Sequence, residues 1–130
     1  MSNEPGAGMS RVTRDVSLSD VADLLSHPPR VTVAFVHGGA VDVVPARARC
    51  TAETHRFAVA SSAAPSLDAH EVVLVVEDGS CGWFGLRGFS VRGLATRVEA
   101  PALEPSDDLA WYAVEPRRVL AWDYGAIREA

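Results

Sequence analysis

The chain has 130 residues, 48% of them hydrophobic, which suits one globular core and leaves too little for a second. A formal charge of −5 speaks against a surface for nucleic acid or anionic membrane, since either needs clustered positive charge. All 12 basic residues are arginine, which excludes Schiff-base catalysis and any phosphate site built on a lysine.

Residues 1–15 mix Gly, Pro, Ser, Asn and charges without a period and read as a mobile tail, leaving 16–130 as one domain. Ser17 with Asp20 resembles a capping box, and Leu18, Val21, Leu24 and Leu25 recur at helical spacing. Pro28-Pro29 ends this helix of about two turns, because a proline disfavours helical geometry at the residue before it. The period then changes to two. Val31, Val33 and Phe35 mark a strand, His37-Gly38-Gly39-Ala40 a tight hairpin turn, and Val41–Val44 the return strand. Pro45 cannot donate to a ladder and marks an edge, a bulge or a change of sheet. Arg47 and Arg49, two apart, share a face.

A strand over Arg56–Ala60 follows the turn Thr51-Ala52-Glu53-Thr54, and Ser61–Asp68 reads as a loop or short helix. Val72–Val76 is an unbroken apolar run, as expected of a strand buried on both faces. A longer strand over Phe84–Val98 is punctuated by Gly85, Gly88 and Gly93, where a sheet can curl. Trp111–Val114 and Val119–Trp122 read as two final strands broken at Glu115-Pro116. Six or seven short strands joined by hairpin-length links exclude a parallel sheet and close best into an antiparallel barrel.

Few chemical signatures stand out. Cys50 and Cys81 form no CxxC, and no pair among His27, His37, His55 and His70 has metal-ligand spacing, so no metal site is expected. There is no GxSxG elbow. No apolar run reaches the length of a membrane span, and the first residues lack the apolar core of a secretory signal, so the expectation is a soluble cytoplasmic protein without membrane or nucleic-acid partners.

Taken in order, PPRVTVAFVHGGAVDVVPARARC, THRFAVASS, HEVVLVVEDG, LRGFSVRGLATRV and EPRRVLAWDYG resemble the pyridoxamine 5′-phosphate oxidase-like family. The likeness is to its branch of flavin- and deazaflavin-dependent oxidoreductases and covers roughly residues 18–127. It implies a Greek-key split β-barrel that forms a homodimer, with FMN or a deazaflavin coenzyme bound at each subunit interface. By the same likeness Val44, Pro45 and Ala46 run along the flavin ring. Ala60, Ser61 and Ser62 approach the phosphate, and Arg87 and Trp122 lie near the cleft.

One departure bears on the cofactor. Such proteins usually carry a Lys or Arg in the loop after the strand ending at Ala60, whereas Ser61–Asp68 holds no cation. Either Arg47, Arg49 or Arg56 takes over the phosphate, or the site has decayed. Those arginines could instead be a solvated face balanced by Glu53, Arg87 an inter-subunit ion pair, and Trp83, Trp111 and Trp122 core residues. Three functions therefore stand side by side: hydride transfer to a small organic substrate, a non-catalytic flavin or haem carrier, and a structural dimer.

Overall fold

A computed structural model of the chain describes residues 16–79, 87–102 and 108–123. The N-terminal tail, Cys81, Trp83, the Phe84–Leu86 start of the predicted long strand and the residues after Asp123 lie outside the described residues. Among the described residues, no helix is long and apolar enough to cross a membrane.

The predicted helix is a 3-10 turn, Leu18–Val21, continued by a short helix, α1, over Ala22–Ser26. Its apolar stripe is buried at Val21, Leu24 and Leu25. The capping box forms between Ser17 and Asp20, with the Ser17 backbone N–H donating to Asp20 Oδ2 at 2.8 Å. The Ser17 hydroxyl also donates to the same carboxylate, at 3.2 Å.

Seven strands follow: β1 (Arg30–His37), β2 (Ala40–Pro45), β3 (Arg47–Cys50), β4 (His55–Ala60), β5 (Glu71–Glu77), β6 (Arg87–Val98) and β7 (Leu109–Asp123). All pair antiparallel in one curled sheet of order β2-β1-β5-β6-β7-β4-β3. The β1–β2 turn rests on Gly38 and Gly39, at φ +60° and +80°, conformations that cost a residue with a side chain but not glycine. The sheet's two edges, β2 and β3, are consecutive in the chain and separated only by Ala46, whose N–H donates to Val31 O at 3.0 Å. Pro45 thus marks the corner at which the chain leaves β1 and joins β4, and the curled sheet closes through a covalent link.

The inner face carries the core. Val33, Phe57, Leu74, Val76, Phe89, Val91 and Tyr112 are buried. Phe57 and Tyr112 stack with centroids 5.3 Å apart. The Tyr112 hydroxyl accepts from Leu67 N–H at 3.1 Å, which pins the β4–β5 loop to the barrel's end.

Two expectations require correction. The Val72–Val76 run is buried on one face only: Val72, Leu74 and Val76 point inward, while Val73 and Val75 are half-buried on the outside. No layer of the described chain covers that side. Val36, Val41 and Val43 there are 60%, 69% and 62% exposed. Nor is β7 two strands. It runs unbroken through Glu115-Pro116, because the missing proline N–H is absorbed by a bulge: Gly93 pairs with Pro116 and Arg92 with Arg118, leaving Arg117 over. The bulge resets the alternation, so Val114 and Val119 both meet the core.

Candidate functional site

The alternation of β3 sets the site. Ala48 and Cys50 pack on the core while Arg47 and Arg49 are exposed on the outer face. The β3–β4 register puts Arg49 directly opposite Arg56, and Arg47 opposite Ala58. Like charges facing each other across two strands repel, so the hairpin concentrates positive potential rather than dispersing it. Its turn is held by the Thr51 hydroxyl, which accepts from the Thr54 and Glu53 N–H groups at 2.9 and 3.2 Å.

Together with the Pro28-Pro29 corner, these residues wall a groove of about 850 Å³. Ala46, Arg47, Arg49, Arg56, Thr51 and Thr54 line it, and no described lining residue is a carboxylate. Arg47 and Arg56 make no ion pair among the described residues, and the Glu53 carboxylate expected to balance them makes none either. The volume falls in the range of small-molecule sites, and guanidiniums with threonine hydroxyls suit an anionic group on a larger body. Cys50 also lines this groove; burial pushes its thiol up to about 11, so it stays protonated and unreactive at neutral pH.

A second groove, of about 1030 Å³, opens on the other side of Arg56. It runs between Arg97 and the Val98–Pro101 segment on one side and Leu109 and Trp111 on the other. Trp111 belongs to the outer face and lies apart from the core cluster, yet it is only 1% exposed. Its indole Nε1 is buried with no acceptor. The Arg97 guanidinium carbon sits 5.7 Å over the Tyr112 ring.

The residues expected from the sequence divide into three groups. Val44, Pro45 and Ala46 lead into the first groove, and Ala46, Arg47 and Arg49 line it. Ala60, Ser61 and Ser62 stand at the other end of β4 from Arg56 and line neither groove. There Ala60 pairs with Leu109, and the Ser61 N–H is taken by Asp108 O at 2.8 Å. Arg87 and Trp122 form a third location, where β6 starts beside the end of β7. The Arg87 guanidinium donates to the Asp20 carbonyl at 2.9 Å and is bonded to Asp23, while Trp122 stands half-buried opposite Gly88. Neither residue lines either of these two grooves.

Arg97 and Asp23 were invisible as site or partner residues in the sequence, because each depends on segments far apart in the chain. The Arg49–Arg56 opposition was recoverable, since a four-residue turn over Thr51–Thr54 fixes that register. The described residues hold no group of three His, Cys, Asp or Glu side chains able to ligate a metal.

No family model matches the sequence, and no curated protein does. Solved structures do. The FAD-binding protein from Mycobacterium smegmatis matches at 18% identity and TM-score 0.60, over 80% of this chain and 93% of that one. A candidate pyridoxamine 5′-phosphate oxidase from Listeria innocua matches at 12% and 0.60, over 81% and 97%. An F420 reductase matches at 22% and 0.52, over 75% and 93%. The haem storage protein from Vibrio cholerae matches at 12% and 0.57, over 78% and 91%. The chain therefore has the split-barrel fold of the pyridoxamine 5′-phosphate oxidase-like proteins, a fold shared with an FAD-binding protein, an F420 reductase and a haem storage protein.

Proposed function

We propose that the protein is a cytoplasmic flavin- or deazaflavin-dependent oxidoreductase that works as a homodimer. The observation that carries this reading is the groove at the β2–β3 corner, where Arg47, Arg49 and Arg56 converge with no carboxylate among the described lining. In the proposed complex these arginines hold the cofactor phosphate in place of the missing loop cation. Val44, Pro45 and Ala46 flank the ring. When bound, the reduced ring supplies a hydride and a proton to an unsaturated organic acceptor and is left oxidised. The chain's own part is to bind, orient and shield, which accords with the absence of an acid–base constellation in the groove.

A second copy is part of the proposal. Val43, Ala34, Val73, Arg92 and Arg118 stand abreast across five strands of the outer face, and Val41 and Val36 pair in the next row. Exposed valines of this kind favour burial against another surface. Arg87 and Trp122, which line neither of the two grooves described, would reach one across such an interface.

One observation favours a second reading. The loop Ser61–Asp68 offers no cation and its Asp68 carboxylate is already bonded to Arg97 N–H at 2.8 Å, as expected of a carrier of flavin or haem without turnover, or of a structural dimer. A spectrum of purified protein with titration of FMN, deazaflavin and haem separates the readings. Saturable FMN or deazaflavin binding, weakened at least tenfold by Arg47→Ala with Arg49→Ala, is the expected result. No binding of either nucleotide overturns the proposal, and binding unchanged in the double variant shows that the phosphate lies elsewhere.

A further inference from the structure

The outer face of the sheet is complementary to itself. We infer that a second copy of this chain covers it about a two-fold axis crossing the strands, with Arg118 of each copy set against Glu115 of the other. The axis runs between two neighbouring rows of side chains. One row is Val43, Ala34, Val73, Arg92 and Arg118, from β2 to β7. In the next, Val41 pairs with Val36, and Glu71 and Glu115 flank Leu94. Val36 joins them because Phe35 before it pairs with Val72. Residues three apart on a regular strand point to opposite sides. The bulge at Arg117 resets that alternation and turns Glu115 and Arg118 to the same face.

A two-fold interface pairs residue i with j and j with i, so this axis exchanges the two rows strand for strand. At the β2 end Val43 then meets Val41, and Ala34 meets Val36. A small apolar cleft of about 170 Å³ lies there, walled by Ala34, Val36, Val41 and Val73, with room for an aliphatic side chain of the other copy. At the β7 end Arg118 meets Glu115, twice per dimer. Arg92, Arg118 and Glu115 are exposed and make no ion pair among the described residues. Arg92 stands directly opposite Arg118, an unfavourable pairing of like charges in a lone subunit. The second copy relieves it by bringing Glu115 to Arg118 and, one strand from Arg92, Glu71. The Glu71 carboxylate is held by Arg117 at 3.6 Å, both side chains being 53% exposed, which leaves it free to share.

Charge selects this occupant over others. A polyanion would suit Arg92 and Arg118 but would meet Glu71 and Glu115 in the adjacent row. A second copy satisfies both rows at once. The interface rests on the homodimer of the reading above and is independent of its cofactor.

The test is charge reversal, followed on the full chain by sedimentation velocity. Arg118→Glu alone and Glu115→Arg alone each set like charges face to face, and each should weaken the dimer roughly tenfold or more. Mixing the two variants should recover the lost affinity, because in the mixed dimer both contacts again join opposite charges. Arg118→Glu with Glu115→Arg in one chain should recover it too. Recovery on mixing also shows that each variant is folded. A monomeric unaltered protein overturns the inference, and so does a dimer indifferent to both reversals or a loss that mixing does not repair. A dimer that obeys the charge rule but binds neither FMN nor deazaflavin keeps this interface and removes the redox proposal. A flavin-binding dimer that ignores the reversals does the opposite.

Discussion

Arg87 and Asp23, 64 residues apart in the chain, meet through two parallel bonds, Nη1 to Oδ2 at 3.0 Å and Nη2 to Oδ1 at 2.8 Å. The fork ties α1 to the first residue of β6. The Arg87 N–H adds a bond to Asp78 Oδ2 at 3.1 Å, and Asp123 Oδ2 lies 3.7 Å from Nε. Because Asp23 is 62% exposed, water screens the pair and its worth is modest. Arg87→Ala should cost about 1 kcal/mol of unfolding free energy in urea, combining an exposed ion pair with a lost carbonyl bond. Arg87→Lys should recover only part, since a lysine cannot reproduce the fork. A neutral Arg87→Ala result would mean that α1 docks through Val21, Leu24 and Leu25 alone.

Two groups give stability a dependence on pH, both of the same sign. Hydrogen bonding to Arg87, reinforced by its charge, holds the Asp23 carboxyl below its ordinary 3.8. Its contribution is complete above that value and disappears as pH falls through the depressed pKa. His55 is buried without a partner for Nδ1, and burial lowers it from 6.5. Above 6.5 it is neutral in both states. Below 6.5 the unfolded chain takes a proton that the folded one refuses, so stability declines with acidification by at most about 1.4 kcal/mol per pH unit. The urea midpoint should therefore be flat from pH 8 to 7 and fall from pH 6.5 downward. His55→Phe should flatten the fall just below 6.5, and an unaltered profile in that variant would refute the assignment.

Trp122 lies over Gly88. A β-carbon added at Gly88 would come within 2.6 Å of Val76 O and of the Trp122 ring, with a second ring atom at 2.8 Å. The backbone oxygen cannot yield as a flexible side chain could. Gly88→Ala should destabilise by roughly 1–3 kcal/mol, the range for overpacking. Pairing it with Trp122→Ala should not restore wild-type stability, because the Val76 contact remains. Full recovery in the double variant would place all the strain on the indole.

Cys50 should be slow to react. With its thiol at about 11, little thiolate exists at pH 8. In a Cys81→Ser background, alkylation by iodoacetamide should be roughly tenfold or more slower than for a free thiol, after allowing for the greater nucleophilicity of a basic thiolate. A rate equal to that of glutathione would show the barrel opening at this edge.

Much of the fold was legible because local rules acted alone. Gly38-Gly39 could only be a turn, and Arg47 and Arg49 had to share a side of β3. The misreadings arose where a local signal was settled from elsewhere in the chain. Pro116 would end a strand by itself, but Gly93 opposite lets β7 continue through a bulge. Val73 and Val75 look like core until the outer layer that would bury them proves absent among the described residues. The arginine cluster was readable as composition. The second groove was not, since Val98 and Trp111 come into register, and Arg56 joins them on that face, only after β6, β7 and β4 have assembled.

The covalent corner at Ala46 makes chain length there matter more than residue identity. Inserting or deleting a single amino acid between Pro45 and Arg47 would exchange the two sides of β3, driving guanidiniums into the hydrocarbon interior and turning Ala48 and Cys50 toward water. Drift in composition around this hinge is affordable; a change in its count is not.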